Sequence, residues 1–200
     1  MNTTVHMPTA LIAATFVGGC IVADAESADD DRRSVADLEF KHCAIETSSR
    51  TADQADVRPA SRAPECFRTF SQALQFATSG RVQLPLEAVL EDLDEAVGSL
   101  DAPGLDGTYV IGIEYDDANF RGSTKTYFGD TTCDGTERFV SWVGEEWNDR
   151  ISSARAYSEC NHSYHYEHIN FGGAIMDCGS SCNYIGDALN DETSSIRWTN

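Results

Sequence analysis

The sequence predicts an all-β fold in which two Greek-key motifs form one sandwich over residues 109–200, preceded by a small helical or partly disordered N-terminal segment. Three observations carry this expectation. The pattern Tyr-acid-x-x-Asn-Phe-x-Gly occurs as Tyr115-Asp116-Asp117-Ala118-Asn119-Phe120-Arg121-Gly122 and again, 51 positions on, as Tyr166-Glu167-His168-Ile169-Asn170-Phe171-Gly172-Gly173. Each copy is followed by a second element, Asn148-Asp149-Arg150-Ile151-Ser152-Ser153 in one half and Asn190-Asp191-Glu192-Thr193-Ser194-Ser195 in the other. A two-part repeat in fixed order means two copies of one structural unit. Strand-like runs also recur about every dozen residues without helical patterns between them, which favours a sandwich over a βαβ layout.

Residues 1–25 read as an export signal: Thr9 to Ala23 is apolar, rich in small residues and too short to span a bilayer. Two processing sites compete. Val17-Gly18-Gly19-Cys20 resembles a lipobox that would make Cys20 a lipidated first residue, and Val22-Ala23-Asp24-Ala25 is an Ala-x-Ala cleavage site. Residues 26–108 read as linker and small helical segment, with polar stretches at Glu26–Asp37 and Thr47–Pro64 and a strand over Glu39–Ile45. Thr69 to Ala77 has apolar residues at helical spacing and ends near Gly80, a C-cap residue. Pro85 to Val97 repeats that pattern, with Leu86, Val89, Leu90 and Leu93 on one stripe. Ser99 to Thr108, with Pro103, Gly104 and Gly107, marks the boundary to the domain at 109–200.

That domain opens on Tyr109 to Tyr115, rich in β-branched and aromatic residues. Alternation predicts a half-buried strand with Tyr109, Ile111, Ile113 and Tyr115 on one face and Gly112 and Glu114 on the other. The chain must then turn sharply, and Gly122 and Gly173 are the residues that tolerate positive φ there. Ser152 to Tyr157 and Ser194 to Trp198 alternate again and read as closing strands.

At these residues the chain resembles the βγ-crystallins, in particular their small microbial, calcium-binding members. That family builds each Greek key from a Tyr-rich first strand, a hairpin with an obligatory Gly, and a late loop reading Asn/Asp-Asn/Asp-x-x-Ser/Thr-Ser. The resemblance implies two Ca2+ sites formed by the paired loops. Carried over position by position, it nominates Asn148, Asp149 and Ser152 from one loop and Asn190, Asp191 and Ser194 from the other, with Asp116 and Glu167 contributing through their carbonyls. Calcium takes about 6–8 oxygen ligands, and sites with few carboxylates have modest affinity, on the order of micromolar to millimolar. Asn-Asp and Ser-Ser pairs also cap turns, which is the plain structural alternative.

A formal charge of −19 over 200 residues repels nucleic acid and anionic membranes, so the expected partners are calcium ions rather than either of these. No membrane insertion is expected apart from a lipid anchor at Cys20. Of the 7 cysteines, those other than Cys20 form an even set, and chain order suggests Cys43 with Cys66, Cys133 with Cys160, and Cys178 with Cys182. Cys178 and Cys182 also read as half a zinc site, and His162, His165 and His168 as a weaker zinc alternative, although on a strand His165 faces away from the other two. No Gly-x-Ser-x-Gly elbow, phosphate loop or His-Glu-x-x-His is present, and no enzyme activity is expected. The expectation is a secreted or surface-anchored, calcium-binding protein. Its alternative, drawn from the resemblance, is a secreted metalloproteinase inhibitor or killer-toxin-like protein, with the Cys178–Cys182 or Thr131–Arg138 loop offered to a protease.

Overall fold

In the computed structural model the residues described are 42–51, 57–85 and 100–200. The export signal, Cys20, the acidic linker at 26–37 and the Leu86–Leu93 stripe lie outside them. The elements are β1 (His42–Glu46), β2 (Ser48–Thr51), β3 (Glu65–Phe67), α1 (Phe70–Ala77), β4 (Tyr109–Asp117), β5 (Arg121–Gly129), β6 (Thr136–Val140), β7 (Ser153–Ala156), β8 (His162–His168), β9 (Gly172–Asp177), β10 (Ser181–Cys182) and β11 (Ser195–Thr199). They form one sheet in the order β10-β7-β4-β5-β1-β3 and a second in the order β2-β6-β11-β8-β9.

The duplication is visible in this order. β4 to β7 are the first unit and β8 to β11 the second, and each lends its third strand to the other: β6 pairs with β11, and β10 pairs with β7. Neither unit is a complete sheet by itself, so the two share one core. At its centre Trp198 lies with its ring centroid 4.8 Å from that of Tyr127, among Ile111, Val143, Ile151, Ile185, Leu189 and Ile196.

The structure corrects the predicted faces of β4. The register against β5 shifts between Val110 and Gly112, and this bulge at Ile111 inverts the alternation that follows. Gly112 and Glu114 therefore point between the sheets, where a Cβ on Gly112 would come 2.7 Å from Trp198 Nε1. Ile113 and Tyr115 point outward with Val110, and both faces are buried rather than one.

What covers the outer face comes from the segment before residue 109. Thr69 caps α1 by accepting from Gln72 N at 3.3 Å, and Gly80 at φ +86° lets the chain leave the helix. Phe70 and Leu74 of α1 pack on Val110, Ile113 and Tyr115, while Ala77 packs on Ala44 and Phe128. The same segment adds strands to both sheets: β1 runs parallel to β5, and β2 is antiparallel to β6. Besides the expected strand, now β1, the start of the stretch read as the Thr47–Pro64 linker also contributes sheet as β2, because β5 and β6 present unpaired edges that need partners.

All three expected disulfides are present: Cys43–Cys66 across β1 and β3, Cys133–Cys160, and Cys178–Cys182. Bonds of this kind form in oxidising compartments. Among the described residues no helix is long and apolar enough to cross a membrane.

Candidate calcium-binding loops

Each loop begins with a helical turn. Asn148 N donates to Gly144 O and Asn190 N to Gly186 O, both at 2.9 Å, and both glycines sit at φ +93°. Sequence reading missed these two glycines, although a Gly four residues ahead of each Asn-Asp was there to be aligned. The second residue of each loop, Asp149 and Asp191, takes φ +59° and +57°, which an Asp tolerates better than most residues.

The loops then cross. Ser152 Oγ donates to Asp191 Oδ1 at 3.2 Å, and Ser194 Oγ donates to Asn148 Oδ1 at 2.7 Å. The backbone repeats the exchange, with Asp149 N donating to Thr193 O at 3.4 Å and Asp191 N to Ile151 O at 3.2 Å. Ser152 N and Ser194 N bond to Tyr115 O and Tyr166 O, both at 2.9 Å, so each serine is tied to the first strand of its own half. The structure thereby brings the six nominated loop residues together, with both serines buried as a floor and the Asp149 and Asp191 side chains exposed at the rim.

Asp116 and Glu167 follow those two tyrosines and occupy matching positions. Asp116 Oδ1 accepts from Ser123 N at 2.5 Å and Glu167 Oε2 from Ala174 N at 2.9 Å, closing each hairpin over Gly122 and Gly173. These glycines have φ +81° and +75°, as the turn chemistry required. The last serine of each loop locks the hairpin: Ser153 Oγ accepts from Phe120 N at 2.9 Å and donates to Asp117 O at 2.7 Å, and Ser195 Oγ does the same with Phe171 N at 3.0 Å and His168 O at 2.7 Å.

The donor set fits a hard divalent cation. The ligand atoms offered are oxygens from hydroxyl, amide, carboxylate and backbone groups, drawn from two loops already held in register. Among the described residues soft chemistry has no comparable place. Among the described residues the one grouping of three His, Cys, Asp or Glu ligand atoms is Cys43, Cys66 and Glu146, and its sulfurs are joined as a disulfide. His165 is buried and its Nε2 lies 2.9 Å from Glu114 Oε2, whereas His162 lies at the surface 2.8 Å from Asp177. The Thr131–Arg138 loop ends in an arginine only 1% exposed, while the Cys178–Cys182 loop leaves Ser180 and Ser181 open to solvent.

Beside the first loop, Lys125 is buried and donates to Val143 O. Burial pushes its pKa down to about 8, partly offset by the charge of Glu146. The unfolded chain then holds this proton more tightly than the folded one, so stability rises with pH from about 8 towards the ordinary lysine value of 10.5, and the penalty is complete below that window. Lys125→Met is therefore expected to stabilise the protein at neutral pH by about 2 kcal/mol, after allowance for the lost hydrogen bond. Urea unfolding at neutral pH and above pH 10.5 should show the gain at the first and not at the second.

No protein-family model and no curated protein matches the sequence. Solved structures do match. A βγ-crystallin from an archaeon is 26% identical over 44% of this chain and 96% of its own, with a TM-score of 0.33. A βγ-crystallin domain from Flavobacterium johnsoniae is 26% identical over 44% of this chain and 92% of its own, with a TM-score of 0.34. One from Clostridium beijerinckii is 18% identical over 44% of this chain and 97% of its own, also at 0.34. In this chain the Tyr-rich strand, the Gly-bearing hairpin and the Asn-Asp-x-x-Ser-Ser loop each occur twice, in order, around one shared core. The duplicated part of this chain has the βγ-crystallin fold, two Greek keys closed on one core.

Proposed function

We propose that the paired loops bind two calcium ions and that the chain acts as a calcium-stabilised, non-enzymatic protein, secreted or anchored at the cell surface. The observation that carries this reading is the crossing of the loops. Ser152 reaches Asp191 and Ser194 reaches Asn148, so each cluster of oxygen donors draws on both halves and exists only when the chain is folded. Asn148, Asp149 and Ser194 with the Glu167 strand would hold one ion, and Asn190, Asp191 and Ser152 with the Asp116 strand the other. Calcium supplies the charge that lets these oxygens approach one another. The protein supplies their spacing, through the Gly144 and Gly186 turns and the buried serine floor. Three disulfides fit an extracellular setting, in which calcium is abundant enough for sites of modest affinity.

A ligand that binds the folded but not the unfolded state stabilises it by about 2.7 kcal/mol per site at a hundredfold excess over its Kd. Scanning calorimetry of the full chain should therefore show a Tm higher by on the order of 10 °C in millimolar calcium than in chelator. Magnesium should do less, because it gives up its waters reluctantly. Asp149→Ala and Asp191→Ala should each remove more of the shift than Ser152→Ala or Ser194→Ala, since each takes away a carboxylate. Equal melting temperatures in calcium and chelator would mean that the loops are turn caps.

A further inference from the structure

The two halves hold their acids alike but not their counter-ions. Asp116 and Glu167 each accept a hydrogen bond from the backbone seven residues on, at Ser123 and Ala174. Among the described residues only Asp116 also carries a guanidinium: Arg150 Nη2 donates to its Oδ2 at 2.9 Å. Arg150 is the third residue of the first loop, and Glu192 stands at that position in the second. The arginine is held from two more sides, by donation from Nη1 to Glu146 O at 2.9 Å and by the Trp147 ring, whose centroid lies 5.6 Å away. Three contacts fix a long side chain whose freedom would otherwise oppose the pairing.

We propose that Arg150 is a built-in counter-ion for the Asp116 side of the paired loops, so that calcium fills the Glu167 side first and the Asp116 side second. This rests on the calcium reading above. Ser152 N bonds to Tyr115 O and Ser194 N to Tyr166 O, so each side consists of one serine, the acid strand of the same half and the Asn-Asp pair of the opposite loop. A cation entering the Asp116 side meets a resident positive charge and a carboxylate already neutralised. The third loop position on the other side contributes a negative charge instead. Exposed charge pairs of this kind are individually weak, but the two differences act in the same direction. The two dissociation constants should therefore differ on the order of tenfold.

Isothermal titration of calcium into chelator-treated full-length chain tests this. The expected result is two unequal steps. Arg150→Met should tighten the weaker step on the order of fivefold and leave the stronger one in place, and Arg150→Glu, which copies the charge pattern of the second loop, should bring the steps together. Salt high enough to shorten the screening length to about 3 Å should narrow the gap in the unaltered protein, an arm that needs no variant. Melting curves in chelator report whether each variant folds. Two equal steps in the unaltered chain, or a gap that neither Arg150→Met nor salt changes, would overturn the role of Arg150 while leaving calcium binding intact. No binding heat in any protein would overturn the calcium reading itself.

Discussion

Glu114→Leu is expected to cost roughly 3–5 kcal/mol, and His165→Leu a similar amount, whereas the double variant should be as stable as the parent or more so. Both residues are 0% exposed, and Glu114 Oε2 lies 2.9 Å from His165 Nε2. Removing one partner leaves the other buried with no partner among the described residues, since Glu114 Oε1 and His165 Nδ1 already lack one there. Removing both takes away the need. The two are 51 residues apart, the period of the repeat, because Glu114 precedes Tyr115 as His165 precedes Tyr166. They are copies of one position meeting across the approximate twofold that relates the halves, as equivalent residues do at an isologous interface. Two glutamates there would repel, and the divergence to Glu and His makes the contact complementary. Urea unfolding of the disulfide-intact single and double variants measures the coupling. Additive losses would show that the pair is not a unit.

Arg138→Met should cost about 3 kcal/mol and loosen the segment ahead of the duplicated domain before the rest. Arg138 is 1% exposed. Its Nη1 meets Asp130 Oδ1 at 2.9 Å, and its Nε and Nη2 donate to Thr47 Oγ1 and Thr47 O at 2.8 and 3.2 Å. Thr47 is the single residue between β1 and β2, where the chain passes from one sheet to the other, and its own N–H bonds to Phe128 O at 2.8 Å. The guanidinium also lies where a side chain on Gly129 would sit. Native-state hydrogen exchange should show the amides of Thr47 and Ser49 losing protection in the variant while those of Ile113 and Ile196 keep theirs. Uniform loss across the chain would mean that Arg138 stabilises the whole core instead of the crossing.

Glu114 and Arg138 also mark where sequence reading stopped. The offset that aligns Tyr115 with Tyr166 equally aligns Glu114 with His165, yet alternation along β4 assigned Glu114 to solvent. Period-two reasoning assumes an uninterrupted ladder, and the extra residue at Ile111 breaks it, with Gly112 beside it as the sequence mark of the bulge. The strand at His42–Glu46 was legible in the composition of the Glu39–Ile45 run, but not its place beside β5, because pairing with a partner some 80 residues away leaves no local trace.

The sequence by itself determined whatever depends on neighbours along the chain or on the repeat: the two-fold duplication, the positive φ at Gly122 and Gly173, the helix from Thr69, the disulfide order, and the loop residues with oxygen to offer. Local chemistry decides these, so local pattern shows them. Only the tertiary structure decided which strands are exchanged, that both faces of β4 are buried, that Ser152 answers Asp191 and Ser194 answers Asn148, and that Arg150 rests on Asp116. Each of these is a contact between residues far apart in the chain, selected by the shared core that brings the two halves together.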